Sequence, residues 1–296
     1  ARLAPGSMFP YFYAVGTFSR GFDRRALELL LAIDSDRGWM KGWFTYWPIR
    51  GMVRHMLGEH DAEAADAELA SRKFPGNAAA ITSRVRALTV LGRRDEVERQ
   101  LDQALLVPAS AGWTAGSAIG VAAQEAAAHG HADWLPELRR RALEWYAGLS
   151  EKDREFEAPN FGHSWVLYSV GAWPRLAERL DRLEREIQPR PELLAYQAMV
   201  AIRRGDRARA LAIDSALRTT FSMEKASNTM ERFRAGEAIY RSAQVAAALG
   251  DRPRALELLR RGLAGGAVPR FYLHCDPAFS ELRSDPEFRQ LFASRG

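Results

Sequence analysis

Six histidines and one cysteine are the side chains of this 296-residue sequence best suited to hold a metal ion or activate a nucleophile. His55 and His60 bracket Gly58, His129 and His131 flank Gly130, and His274 adjoins Cys275 and Asp276. Zinc requires three or four converging nitrogen, sulfur or oxygen ligands, and no histidine here stands in an H-E-x-x-H or paired C-x-x-C spacing. They read as turn and surface histidines, so neither a metal site nor a cofactor is expected. His274 and Cys275 could form an activated thiol pair, but adjacent side chains diverge, and Cys275 reads as a small buried apolar residue. Carboxylates are numerous and scattered, so spacing selects no acid–base pair. No phosphate-binding loop, G-x-G-x-x-G turn or kinase signature occurs, and Gly162-His-Ser-Trp165 lacks the second glycine of a nucleophile elbow. No catalytic residue is expected in this chain, although a catalytic domain could lie upstream of it.

The elements that position these groups must come from a globular chain. Hydrophobic residues make up 47% and charged residues 27%, which excludes wholesale disorder and collagen-like structure. No apolar run approaches the roughly 20 residues that cross a bilayer. The net charge of +5 raises the question of phosphate binding. Lysine occurs only at Lys41, Lys73, Lys152 and Lys225, and the arginines alternate with acids, as from Arg175 to Glu186. Such alternation makes a solvated helix face with ion pairs, so nucleic acid is not an expected partner. A single cysteine cannot form an internal disulfide. The expected compartment is cytoplasmic, or extracytoplasmic if a membrane segment precedes the chain.

A repeat organises most of the sequence. Gly21, Gly58, Gly92, Gly130, Gly171, Gly205 and Gly250 end apolar-periodic segments at spacings of 34 to 45 residues, several just before an acid that can meet free N–H groups of a second helix. Seven residues before each glycine stand Ala14, Gly51, Val85, Ala123, Ser164, Ala198 and Ala243, nearly all small, as a close helix crossing requires. Five residues after it stand Ala26, Val97, Ala210 and Ala255, with Glu63, Leu135 and Leu176 in the remaining units. Pro75, Pro108 and Pro189 follow second helices, where proline stops a helix.

These residues resemble the tetratricopeptide repeat, best in the unit from Phe44 to Asn77, where Trp47, Gly51, Gly58 and Pro75 occupy the family's places. The segment from Pro269 to Phe292 is similar to the closing segment of tetratricopeptide tails in bacterial serine/threonine kinases and transcriptional regulators. It reads as two short capping helices opened by Asp-Pro, with Leu282, Phe288, Leu291 and Phe292 covering the end of the array. Leu3-Ala-Pro-Gly-Ser7 parallels Lys73-Phe-Pro-Gly-Asn77, so the sequence is expected to be the C-terminal part of a longer chain. The expected fold is all-α: one right-handed superhelical solenoid with hairpins at about 8–34, 40–74, 77–107, 113–148, 159–188, 190–220 and 224–264, and a cap at 270–296.

The resemblance implies a concave groove lined by the first helices, at three, six and ten residues before each turn glycine. The groove residues it singles out are Tyr11, Phe18, Met52, His55, Arg86, Gln124, Phe161, Trp165, Tyr168, Met199, Tyr240 and Gln244. It lacks the Lys, Asn and Arg set with which chaperone-binding members clamp a carboxylate. Its aromatic and Met content suits an apolar peptide or helix face. Trp39, Trp43 and Trp47 stand four apart, which on a helix makes one face, either core or a binding ridge. The implied function is a non-catalytic interaction or sensor module of a signalling protein, with a protein or peptide partner. Two alternatives are a small-effector-sensing regulatory domain and a closed α/α toroid acting on carbohydrate.

Overall fold

The computed structural model describes residues 7–109, 112–154, 162–186, 188–264 and 270–295, and among these every extended element is helical. The helices are α1 (Phe9–Ser19), α2 (Asp23–Leu31), α3 (Tyr46–Met56), α4 (His60–Lys73), α5 (Ala78–Val90), α6 (Arg94–Leu106), α7 (Ala115–Ala128), α8 (Leu135–Gly148), α9 (Glu151–Arg154), α10 (His163–Ser169), α11 (Trp173–Glu186), α12 (Pro191–Arg203), α13 (Arg207–Thr220), α14 (Thr229–Ala248), α15 (Arg252–Ala264) and α16 (Pro286–Phe292). Short 3-10 turns at Gly38–Met40, Ala132–Trp134, Arg270–Tyr272 and Pro277–Leu282 complete the described elements. None of these helices is long and apolar enough to cross a membrane.

The chain divides into two compact units, Ala1–His131 with Ala293–Gly296, and Ala132–Phe292. In the first unit α1 packs on α2, α3 on α4 and α5 on α6, while α5 also packs on α3 and α7. In the second, α10 packs on α11, α12 on α13 and α14 on α15, and α12 packs on both α10 and α14. Each second helix also packs on the next first helix, α2 on α3, α4 on α5 and α6 on α7, then α11 on α12 and α13 on α14. This is helical-repeat packing within each unit. The pair expected over 113–148 is present as two helices, but α7 belongs to the first unit and α8 to the second.

The turn chemistry repeats because its cause is local. All seven turn glycines hold φ between 65° and 87°, a region closed to most side chains. After each, the next N–H reaches back to the fifth residue before the glycine's successor, as in Glu59 to Arg54 O (2.9 Å), Ala172 to Leu167 O (2.8 Å) and Asp251 to Ala246 O (2.9 Å). That bond satisfies a carbonyl left over at the helix end. Asp206 then caps α13 by accepting from Arg209 N–H at 2.9 Å. The small residues seven before each glycine are all buried, and so is the column five after it, except for the half-buried Leu135. Asp276 accepts from Ala278 N–H at 2.9 Å and Asp285 from Glu287 N–H at 2.8 Å, so each Asp-Pro opens a turn of the cap as the sequence indicates. Phe279, Leu282 and Phe288 join the core of α14 and α15.

The tryptophan stripe is not one helix face. Trp39 lies exposed in a 3-10 turn, Trp43 is half-buried in the connection and Trp47 is buried in α3. Gly38 and Gly42, at φ 58° and 81°, interrupt the helix that the spacing suggests, and α3 starts only at Tyr46.

Candidate functional site

The inner columns of the first helices are closed. Tyr11, Phe18, His55, Arg86, Gln124, Trp165, Tyr168, Met199, Tyr240 and Gln244 are buried and Met52 is half-buried, while Phe161 lies outside the described residues. The groove expected along these side chains is therefore filled at those positions, and the filling differs between the two units.

In the second unit the filling is the chain's own cap. Tyr168 of α10 donates its hydroxyl to Asp276 Oδ1 at 2.6 Å, and Tyr240 of α14 donates to Oδ2 at 2.5 Å. Gln244 Nε2, one turn along α14, donates to Oδ2 at 2.5 Å, and its carbonyl accepts from Arg241 Nη1 at 3.2 Å. Burial, and then the negative Asp276, push both tyrosine hydroxyls well above their usual range, so they remain donors. The carboxylate is thus satisfied by neutral donors from two first helices and from its own turn. Nearby in the same unit, burial followed by the charge of Arg179 lowers His163 to about 4, so its ring stays neutral near pH 7.

The first unit holds a charged centre instead. His55 in the last turn of α3 points Nδ1 at Glu63 Oε2, 3.0 Å away, and Nε2 toward Glu125 Oε2 of α7 at 3.7 Å. His129, just beyond α7, places Nε2 3.3 Å from the same Glu125 oxygen. His60 Nδ1 lies 3.4 Å from Glu63 Oε2, and Arg86 Nε of α5 donates to Glu63 Oε1 at 2.6 Å. The three imidazole rings sit 5.0 to 5.9 Å apart, edge to face. Burial by itself would raise the Glu63 carboxyl, but Arg86 and His55 outweigh it and hold the group well below the usual carboxylate range. Gly51 makes room for this, since a Cβ there would meet Arg86 Nη2 at 3.0 Å.

Histidines assigned to turns and surfaces by sequence are therefore gathered into one place, three of them with two carboxylates. The sequence carries one signal of it: Glu63, fully buried in the structure, stands in the column where other units carry Ala, Val or Leu. His274 turns Nδ1 onto Phe271 O at 2.7 Å, and Cys275 is buried, as its reading as an apolar residue requires.

A different face stands open. Twelve, nine and eight residues before the turn glycine, α1 carries Phe9, Phe12 and Tyr13, which are 69%, 52% and 55% exposed. No residue at the same positions of any other first helix is exposed among the described residues, from Tyr46 and Arg50 in α3 to Ala238 and Ser242 in α14. Those helices have a preceding second helix packed on them; the Tyr46 hydroxyl, for example, donates to Leu30 O of α2 at 3.1 Å. Comparison with models of known protein families finds no match, and comparison with curated proteins finds none either.

Proposed function

We propose that this chain is a non-catalytic protein-interaction module of the tetratricopeptide kind, which receives an apolar-faced helix of a partner protein on α1. The observation that supports this is the exposure of Phe9, Phe12 and Tyr13 at register positions that are buried or half-buried in the other first helices, among the described residues. Three large aromatics at i, i+3 and i+4 form a contiguous apolar face, and such faces mark interaction sites on otherwise polar surfaces. The stacking of α2 on α3, α4 on α5 and α6 on α7 favours a helix over an extended strand as the occupant. The inner columns, closed by Asp276 in one unit and by Glu63 and Glu125 in the other, are a poorer place for a partner.

The test is selection of helical peptides from a displayed library on the full chain, with counter-selection on a Phe9→Ser/Phe12→Ser/Tyr13→Ser variant. Enrichment of sequences with apolar residues at i, i+3, i+4 and i+7 that ignore the variant is the expected result. Sequences that bind both proteins equally would remove the proposal, as would a concentration-dependent dimer lost in the variant, which would make a second copy the occupant.

A further inference from the structure

We propose that His55, Glu125 and His129 form a binding site for a divalent transition-metal ion, with zinc the best match, supported from behind by Glu63 and Arg86. The candidate ligand atoms of these three residues lie within 4.8 Å of one another, which is the reach of one ion. Imidazoles bound at about 2.1 Å in a tetrahedral arrangement place their ring centres about 5 Å apart. The His55 and His129 rings are 5.8 Å apart, so closing on an ion requires a shift well under 1 Å per ring. Two imidazoles and a carboxylate suit zinc, copper, iron or nickel and are wrong for magnesium or calcium, which take oxygen ligands.

The surroundings are those of a metal-binding histidine. His55 uses Nδ1 on the Glu63 carboxylate at 3.0 Å, which fixes the tautomer and leaves Nε2 for the ion. Glu63 is in turn held by Arg86 at 2.6 Å, so its charge is already matched and it serves as the orienting group rather than as a ligand. Glu125 faces two imidazoles, at 3.7 and 3.3 Å. The cluster is dry on the His55 and Glu125 side, while the His129 and His60 side chains are 28% and 21% exposed, which leaves an entry path. The ion would tie α3 to α7, two repeats along the same unit. This inference does not depend on the partner proposed for α1.

The experiment is isothermal titration of the chelator-stripped full chain with zinc alone, repeated with cobalt to read its visible absorption. One equivalent per chain with a raised Tm is expected. His129→Gln and Glu125→Gln should each weaken binding at least tenfold, and Glu63→Gln roughly 10- to 100-fold as a supporting group. His131→Gln, which alters the other histidine of the same turn, should leave affinity unchanged. Absence of saturable binding to the wild-type chain would overturn the site. Binding that survives both His129→Gln and Glu125→Gln would overturn it too. If Glu125→Gln does not fold, the part-exposed His129→Gln decides alone.

Discussion

Both units bury polar side chains at corresponding positions of their first helices, and they neutralise them by opposite means. Unit 2 surrounds one carboxylate, Asp276, with uncharged donors from Tyr168, Tyr240 and Gln244. Unit 1 opposes two carboxylates, Glu63 and Glu125, with Arg86 and three imidazoles. The same register therefore supports a closed structural knot in one unit and an ionisable, ligand-competent centre in the other. What differs is where the carboxylate comes from. In unit 2 it arrives on the cap, whereas in unit 1 it is built into the helices, with Glu63 replacing a packing residue.

The largest expected effect is in unit 1. Glu63→Ala removes the buried carboxylate that pairs with the Arg86 guanidinium and should cost roughly 3–5 kcal/mol in urea unfolding. Glu63→Leu combined with Arg86→Met should recover most of that, because both members of the buried pair are then replaced by apolar side chains of similar size. A single-variant cost below about 1 kcal/mol would break the contrast between the units.

His163 gives unit 2 its own response to acid, separate from the Asp276 knot. Its folded value of about 4 lies below the unfolded value of about 6.5. Folding therefore favours the neutral ring, and the contribution is complete above about pH 6.5 and is lost as pH falls toward 4. The loss should be on the order of 3 kcal/mol, and His163→Gln should flatten this part of the stability–pH profile. An unchanged profile in the variant would contradict a buried neutral ring.

Asp276→Asn should cost about 2 kcal/mol and Tyr168→Phe about 1 kcal/mol, the first by replacing an ionic acceptor and the second by removing one donor. Equal costs for the two would show that the carboxylate is not the centre of the knot. The smallest effect on stability is expected from Phe9→Ser/Phe12→Ser/Tyr13→Ser, within about 0.5 kcal/mol, since exposed positions contribute little to folding. A large loss there would show that the α1 face is covered by this chain itself.

How much of this was legible in sequence follows from which features are local. The turn glycines, the small column from Ala14 to Ala243 and the Asp-Pro turns of the cap depend on backbone geometry within a few residues. The convergence of His55, His60 and His129 depends on how α3, α4 and α7 stack, which no short spacing encodes. Its trace was the carboxylate of Glu63 in an apolar column. The burial of the inner columns was not legible, because counting from the glycines finds those columns but not what fills them. The tryptophan stripe failed because Gly38 and Gly42, at positive φ, override a four-residue spacing.

The most direct measurement is hydrogen exchange of the full chain with and without a selected helical peptide. The account predicts new protection confined to α1, Phe9–Ser19, and the start of α2. Protection appearing instead in α10, α12 and α14 would place the partner on the inner columns and contradict the assignment of the α1 face.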